Sequence, residues 1–288
     1  MDCWKNGDYL LKEDVTISPY DHGYLYGLGF FETFRTYNGK LFLWDQHWER
    51  LERALSTFRI RMPYTKEEIR EVVTELTKQH EGKDGYFRFN VSAGVHDIGL
   101  QPTSYENPTV LMMRKELPPV VRGKEKTACW IRVARNTPEG TGRLKSHHYA
   151  NNVLARFELP SLAEMEGLMC TAEGVVAEGI TSNVFWVKGG ELFTPSLDTG
   201  ILDGITRQWV IDYAEAHDLH VRIGRFLQKE VEEADEVFVT NAVQEIVPIR
   251  AVEDHHFPGN DGEMYRTLHA AYVSEIESED AKANDEAI

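Results

Sequence analysis

The sequence predicts an α+β protein with two domains, because helical and strand patterns are mixed along the chain and a proline-rich segment divides it. Several strand patterns follow each other directly, as they do in hairpins, so a doubly wound parallel sheet fits less well. Pro118 and Pro119 interrupt both helix and sheet. We therefore predict a smaller N-terminal domain over residues 1–117, a linker over 118–121 and a larger C-terminal domain over 122–288.

Two helices and one strand are predicted in the first domain. The first helix covers residues 44–59 and starts with Asp45 as its N-cap, and the second starts at a capping box formed by Thr65 and Glu68. Residues 86–94 then alternate between apolar and polar side chains, which is the period of a strand. A strand with one polar side either lines a site or faces solvent. The polar side carries Arg88, Asn90 and Ser92.

The second domain is predicted to combine hairpins with helices. A strand is expected over residues 126–135, a helix over 204–219 and a buried strand over 235–241. Gly189 and Gly190 form the predicted two-residue turn of a hairpin, because both central positions of such a turn need a positive φ.

The charge balance argues against some classes of partner. The 288 residues contain 31 Lys and Arg against 47 Asp and Glu, which gives a net charge of −16. A chain this acidic repels nucleic acid and anionic lipid, so neither nucleic acid nor a membrane is expected as a partner. The three cysteines form no CxxC pair, and the sequence shows neither a signal peptide nor a long apolar run. These features indicate a cytoplasmic protein.

Two segments carry a candidate amine and a candidate carboxylate. Lys145 follows Leu144 at a predicted strand-to-helix junction, where partial desolvation would lower the pKa of the amine and make it a nucleophile. The ordinary alternative is a surface lysine. Glu178 precedes a glycine at the end of a strand pattern, and its ordinary alternative is a turn carboxylate.

Two further segments carry candidate phosphate ligands. Gly204, Ile205 and Thr206 open a predicted helix, whose N-terminal N–H groups and positive dipole end favour an anion. Arg50, on the helix over residues 44–59, offers a charge-assisted contact to the same group. An ordinary helix start and an ordinary surface arginine remain the alternatives.

The order of these segments resembles that of fold-type IV pyridoxal-5′-phosphate (PLP) enzymes. An arginine, a lysine, an EGxxSN segment and a GIT helix start occur in that order. The segments SPYDHGYLYGLGFFET and TNAVQEIVPI are also similar to this family, so the resemblance covers nearly the whole chain. It implies a two-domain fold like that of D-amino acid aminotransferase, with the lysine in the larger C-terminal domain. It also implies PLP as cofactor, a small-molecule substrate and a homodimer.

The resemblance implies a role for each matching residue. Lys145 corresponds to the lysine that forms a Schiff base with the cofactor, Arg50 to a phosphate ligand and Glu178 to the partner of the pyridine nitrogen. The remaining matches are Leu202 against the ring, Tyr149 at the ring hydroxyl, Gly204, Ile205 and Thr206 at the phosphate, and Asn241 beside it. Ala242 stands where some relatives carry Thr or Ser, so only its backbone can contact the phosphate.

RNTPEGTGRLKSHHYANN most resembles bacterial aminodeoxychorismate lyases. This implies conversion of 4-amino-4-deoxychorismate to 4-aminobenzoate and pyruvate in folate biosynthesis. Two alternatives use the same cofactor residues: a D-amino acid or branched-chain aminotransferase, and a PLP-binding protein without catalysis.

The substrate carries two carboxylates that need cationic or polar partners. The candidates are Arg35, Arg88 and Arg143, with Asn90 and His147 as polar neighbours. The paired histidines at 147–148 and 255–256 lack further ligands at zinc spacing, so no metal site is predicted.

Overall fold

The computed structural model describes residues 1–100, 104–117 and 121–285, and the chain divides into two compact units. The first comprises residues 1–119, 144–148 and 276–288, and the second comprises 120–143 and 149–275. The predicted linker falls largely outside the described residues, since 118–120 are not among them. Lys145 groups with the first unit and not, as predicted, with the second, because the backbone of its segment hydrogen-bonds to residues 29–31.

The described part of the first unit forms a six-stranded sheet in which all paired strands are antiparallel. The strand order is β2-β1-β6-β5-β3-β4. Its elements are β1 (Cys3–Lys5), β2 (Asp8–Leu10), α1 (His22–Tyr26), β3 (Gly29–Tyr37), β4 (Lys40–Leu41), α2 (Trp44–Thr57), α3 (Lys66–Lys78), β5 (Gly85–Ser92) and β6 (Thr109–Glu116).

The start of α2 differs from its prediction, whereas the start of α3 agrees with it. The N-cap of α2 is Leu43, which has a φ of 53° and makes no side-chain cap. Asp45 lies inside the first turn, where its carboxylate pairs with Lys66 at 2.9 Å. The Thr65–Glu68 capping box is present at the start of α3.

The predicted alternation of β5 is confirmed, but its polar side is not a solvent face. Phe87, Phe89 and Val91 are fully buried in a core shared with α2 and α3. On the opposite side, Asn90 and Ser92 are also buried. Ser92 Oγ donates to Asp21 Oδ2 at 3.0 Å, so of these two side chains only Asn90 has an unsatisfied group among the described residues, as expected for a strand that lines a site.

The described part of the second unit contains a nine-stranded sheet, ordered β12-β11-β10-β13-β14-β7-β8-β9 with β15 paired to β14. Three of its pairings are parallel: β11 with β12, β14 with β7, and β7 with β8. Its elements are β7 (Lys126–Trp130), α4 (Ala150–Arg156), β8 (Met165–Cys170), β9 (Val176–Gly179), β10 (Asn183–Lys188), β11 (Glu191–Pro195), α5 (Ile205–Ala216), β12 (Val221–Gly224), α6 (Gln228–Glu232), β13 (Glu236–Asn241), β14 (Glu245–Val252), β15 (His255–His256) and the first part of α7 (Glu263–Asp285), whose residues from 276 onwards are grouped with the first unit.

The hairpin between β10 and β11 is confirmed. Gly189 and Gly190 have φ values of 58° and 80°, the left-handed region that the turn needs. None of the helices in residues 1–100, 104–117 and 121–285 combines the length and the hydrophobicity that a bilayer crossing requires.

Candidate active-site residues

A short backbone pairing beside the start of β3 holds Lys145. The Phe31 N–H donates to the Lys145 carbonyl at 2.9 Å, and the His147 N–H donates to the Gly29 carbonyl at 2.8 Å. The Lys145 side chain is half-buried, and its Nζ lies 4.7 Å from the centroid of the Phe31 ring. Two fixed backbone bonds and a ring contact therefore give the amine a defined, partly desolvated position.

Gly29 is a requirement of this pairing. A Cβ at that position would lie 2.4 Å from Cε1 of His147, which is closer than side-chain atoms approach. Any other residue would therefore displace the His147 ring.

Arg50 lies in a buried cluster with Glu32 and His47. Its Nε and Nη2 donate to the two oxygens of Glu32 at 2.8 and 2.6 Å, and His47 Nδ1 lies 2.8 Å from Glu32 Oε2. The resemblance implied that Arg50 binds phosphate, yet two of its nitrogens are engaged by this carboxylate. Glu32 and His47 were not identified from the sequence, although a charged residue inside the apolar strand FFETF was a usable signal.

The cations around Glu32 determine its charge. Burial alone would raise the pKa of Glu32, but the charge of Arg50 and hydrogen bonds from Arg50 and His47 lower the pKa to about 2. Burial lowers the pKa of His47, so its ring is neutral near pH 7. An ionised carboxylate only accepts, so His47 Nδ1 carries the proton of this hydrogen bond.

A polar group lies on the same side of the sheet as the Phe31 ring. The Arg88 guanidinium carbon is 3.6 Å from the centroid of that ring, and Arg88 Nε donates to Asn90 Oδ1 at 3.1 Å. Asn90 Nδ2 and His147 Nε2 are buried and have no hydrogen-bond partner within the described part of the chain. A buried polar atom without a hydrogen bond destabilises the fold, unless a bound ligand supplies the partner. Arg88, Asn90 and His147 therefore have the properties of a polar subsite.

The His147 ring is neutral in this environment. Burial is the main cause, with the charge of Arg88 as a second one, and together they lower the pKa of His147 to about 4. Near pH 7 the ring therefore offers one hydrogen-bond donor and one acceptor, and no positive charge.

The other two predicted carboxylate ligands are placed differently. The Arg35 guanidinium carbon lies 4.8 Å from the Tyr37 ring centroid, further along β3. Arg143 lies in the second unit and donates to the backbone carbonyls of Asn136 and Gly200. Burial lowers the pKa of Arg143 to about 10. Arg143 Nε also lies 3.9 Å from Glu178 Oε1, so the guanidinium both holds the backbone of the second unit and supplies a positive charge beside Glu178.

Glu178, at the end of β9, is a buried carboxylate with three donors from separate segments. Arg135 Nε donates to Oε1 at 2.8 Å. The Leu202 N–H and Asn183 Nδ2 donate to Oε2 at 2.9 and 3.3 Å. Arg135 was not identified from the sequence as a partner of Glu178, although it begins the segment RNTPEGTGRLKSHHYANN, because the two residues are 43 positions apart in the chain.

The start of α5 has the features of an anion site. Gly204 is the N-cap, and a Cβ there would lie 2.0 Å from Asn183 Oδ1, so the position requires glycine. Thr206 Oγ1 is buried without a partner among the described residues, and so is Oγ1 of Thr240 at the end of β13. Orphaned hydroxyl donors near a helix N-terminus suit a phosphate group, so these residues fit the cofactor that the sequence implied.

The remaining predicted contacts receive mixed support. Leu202 is fixed through its backbone, because its carbonyl accepts from Asn183 Nδ2 at 2.9 Å. Tyr149 is half-buried at the start of α4. Asn241 uses its carboxamide within its own turn, where Oδ1 accepts from the N–H groups of Val243 and Gln244. Its side chain therefore shapes the turn.

Comparison with known proteins gives one consistent family. A family model described as amino-transferase class IV matches residues 29–252. The aminodeoxychorismate lyase of Bacillus subtilis (strain 168) is 45% identical over 275 residues, covering 95% of this chain and 94% of that protein. A putative branched-chain-amino-acid aminotransferase of Methanocaldococcus jannaschii is 34% identical over 254 residues, covering 88% of each.

Among solved structures, the branched-chain aminotransferase of the thermophilic archaeon Thermoproteus uzoniensis, determined with norvaline, superimposes with a TM-score of 0.86. It is 27% identical, and the match covers 96% of this chain and 94% of that one. The α+β fold with two units and the wider group of enzymes predicted from the sequence are thereby confirmed.

Proposed function

We propose, because the chain belongs to the class IV aminotransferase family, that it is a PLP-dependent aminodeoxychorismate lyase. It would convert 4-amino-4-deoxychorismate to 4-aminobenzoate and pyruvate in folate biosynthesis. The observation that carries this proposal is the likeness to the Bacillus subtilis lyase over nearly the whole chain. The local surroundings of Lys145 in the first unit, and of Glu178 and the start of α5 in the second, each support it.

When bound, PLP supplies an electron sink for the reacting amine. Thr206 and the first N–H groups of α5 would bind its phosphate, and Glu178 would accept a hydrogen bond from its ring nitrogen. Leu202 would pack against the ring, as the family resemblance implies. Glu178 is suited to accept this hydrogen bond because Arg135 and the Leu202 N–H fix the orientation of its carboxylate.

Three further residues are proposed to contact the cofactor with less direct support. Tyr149 would bind the ring hydroxyl. Arg50 would act at the phosphate while its pairing with Glu32 holds the guanidinium in place. Asn241 would act through the turn that it closes, and the backbone of Ala242 in that turn would contact the phosphate.

Lys145 would perform the proton transfers. Its Nζ would hold the cofactor before substrate binds and then take the proton from the ring carbon that carries the amine. Loss of the enolpyruvyl oxygen from the neighbouring carbon completes an aromatic ring. A proton delivered to the enolpyruvate methylene, from Lys145 or water, gives pyruvate. The reaction therefore needs no second keto acid.

Arg88 is the best placed of the three predicted carboxylate ligands. It lies over the same Phe31 ring as the Lys145 amine, beside the unsatisfied polar atoms of Asn90 and His147. We propose that these three side chains receive one substrate carboxylate. Arg35 is a second candidate, whereas the backbone contacts of Arg143 argue for structural support.

We further propose a homodimer that acts in the cytoplasm on a small-molecule substrate. Exposed apolar side chains support an interface, among them Tyr24 in α1, which is 73% exposed, and Phe157 after α4, which is 76% exposed. The free cysteines at 3, 129 and 170 are compatible with a reducing compartment.

The test is an assay with enzymatically generated aminodeoxychorismate and no added keto acid. We expect equimolar 4-aminobenzoate and pyruvate from the wild type. Lys145→Ala should lose the visible absorption of the bound cofactor and at least about a thousand-fold in rate, since it removes both nucleophile and base. The matched control is Lys188→Ala, a half-exposed lysine on β10 that pairs with Asp235.

The outcomes separate the candidate functions. Cofactor absorption without 4-aminobenzoate, but with amino transfer from D-amino or branched-chain acids to 2-oxoglutarate, would replace the lyase by an aminotransferase. Cofactor absorption with neither activity would indicate a PLP-binding protein without catalysis. An equal loss of activity in both lysine variants would remove the special role of Lys145.

A further inference from the structure

The hairpin turn between β13 and β14 ends in an unusual backbone conformation. Residues 242–244 form the turn, and Glu245 follows with a φ of 67°, in the left-handed region. A residue with a Cβ is strained in this conformation, which glycine adopts freely. An interaction of the Glu245 side chain can offset that strain.

The Glu245 side chain makes such an interaction. Its carboxylate is fully buried and accepts from Nε and Nη2 of Arg122 at 3.1 and 3.2 Å. His269 Nε2, on α7, lies 3.7 Å from the same carboxylate. A paired, two-point contact to a guanidinium fixes both the position and the orientation of the carboxylate.

The rest of the turn is held as well. Asn241 Oδ1 accepts from the N–H groups of Val243 and Gln244 at 3.0 and 2.8 Å. Lys126, buried at the start of β7, donates from Nζ to Gln244 Oε1 at 3.1 Å. The turn is therefore fixed by three separate polar contacts, of which the Arg122–Glu245 pair joins it to the segment that precedes β7.

We propose that Arg122 and Glu245 are positioning residues for the cofactor phosphate. They hold the turn in the conformation in which the backbone of Ala242 contacts that phosphate. The inference rests on the proposed function, which puts Ala242 at the phosphate. The Ala242 side chain offers no donor, so its contact depends on backbone geometry alone, and backbone geometry is what the ion pair controls.

The experiment compares two ligands of the full-length protein, PLP and pyridoxal, which differ only in the phosphate. Dissociation constants are measured by absorbance titration for the wild type, Arg122→Met, Arg122→Lys and Glu245→Gly. Glu245→Gly is informative because glycine keeps the left-handed conformation without strain but removes the carboxylate. We expect Arg122→Met and Glu245→Gly to weaken PLP binding about tenfold or more, the usual cost of losing a group that orients a ligand. Pyridoxal binding should not change, and Arg122→Lys should recover part of the loss.

Two controls separate positioning from folding. Arg222→Met removes a two-point arginine–glutamate pair of similar geometry, with Glu191 on β11, and should leave both constants unchanged. If Arg122→Met alone fails to fold, the double variant Arg122→Met with Glu245→Gln removes the uncompensated charge and should still show the selective loss for PLP.

The results distinguish this inference from the function it rests on. If the wild type binds PLP more tightly than pyridoxal, and Arg122→Met and Glu245→Gly keep the same ratio of dissociation constants, only the positioning role is overturned. Wild-type affinity for PLP in Glu245→Gly also contradicts it, because backbone conformation would then suffice without the ion pair. A wild type that binds PLP no better than pyridoxal would overturn both the phosphate site and this inference.

Discussion

Glu32 in β3 and Glu166 in β8 are both buried carboxylates beside a proposed functional segment, yet their surroundings shift their pKa values in opposite directions. Glu32 contacts Arg50 at 2.6 Å, and its pKa is lowered to about 2. Glu166 has its nearest cation, Lys126, at 3.9 Å, and burial raises its pKa. Burial also lowers the pKa of Lys126, so both members of the second pair are shifted towards neutrality.

The opposite pKa shifts of Glu32 and Glu166 show that burial alone does not set the charge of a carboxylate. Burial favours the neutral acid, whereas the charge of a nearby cation and hydrogen bonds to the carboxylate favour the ionised form. Glu166 instead uses Oε1 to accept from the N–H groups of Gly167 and Ile180, each at 3.2 Å, which braces the segment after Glu178. Glu32 thus links β3 to α2 through an ion pair, whereas Glu166 stabilises the second unit through hydrogen bonds to backbone N–H groups.

The largest effect is expected for Glu32→Gln. The amide leaves the buried Arg50 guanidinium without a countercharge, so we expect a loss of about 3–5 kcal/mol in the free energy of unfolding. Urea denaturation at pH 7 measures it. A loss below about 1 kcal/mol would mean that the Glu32–Arg50 pair contributes no more than a surface ion pair.

The pH dependence of stability should follow the same carboxylate. The folded-state pKa of Glu32 lies below its usual value of 4.5, so its contribution is present above about pH 4.5 and is lost as the pH falls towards 2. The shift corresponds to about 3 kcal/mol. His147 adds a loss between pH 6.5 and about 4, because its folded-state pKa is also lowered and the unfolded ring binds the proton first. The free energy of unfolding, measured by urea denaturation at several pH values from 7 to 2, should therefore fall less with decreasing pH for Glu32→Gln than for the wild type. The same pH dependence in the two proteins would contradict the assignment.

Glu178 combines both kinds of contact, because it has two cations, Arg135 at 2.8 Å and Arg143 at 3.9 Å, as well as neutral donors. Glu178→Gln should reduce turnover about 100-fold, the usual cost of removing one preorganised electrostatic partner. Its effect on stability should be smaller than that of Glu32→Gln, since neutral donors supply two of its contacts. Steady-state kinetics and urea denaturation of both variants give the comparison, and retention of full turnover would remove Glu178 from the proposed chemistry.

Thr206 represents the case of a buried polar group without a partner in the described chain. Thr206→Val should weaken PLP binding about tenfold, the value of one hydrogen bond to a charged group. The cofactor-free protein should be no less stable, because valine has the same shape and leaves no unsatisfied hydroxyl. Titration with PLP and thermal unfolding without it test both parts, and a destabilised cofactor-free variant would show that the hydroxyl has a structural role.

The smallest effect is expected for Glu166→Gln. Because burial raises the pKa of Glu166 and its nearest cation, Lys126, is 3.9 Å away, an uncharged amide of the same shape should change the free energy of unfolding by about 1 kcal/mol or less at pH 7. A loss as large as that of Glu32→Gln would show that Glu166 is ionised and paired with Lys126, and would remove the contrast between the two sites.

The sequence by itself determined the elements whose signals are local. The capping box at Thr65 and Glu68, the alternation of β5 and the glycine pair at 189–190 depend on neighbouring residues, and the structure contains each of them. The order of Lys145, Glu178 and the start of α5 was also sufficient to indicate the family, because the cofactor requires the same chemistry wherever the motifs occur.

Only the tertiary structure decided which partners these residues have. Glu32 with Arg50, Glu178 with Arg135, and Glu245 with Arg122 are 18, 43 and 123 positions apart in the chain. The grouping of Lys145 with the first unit and the backbone contacts of Arg143 were equally invisible to local patterns. The physical reason is that charge compensation depends on distance in space and on burial, and neither is encoded in the spacing of residues along the chain.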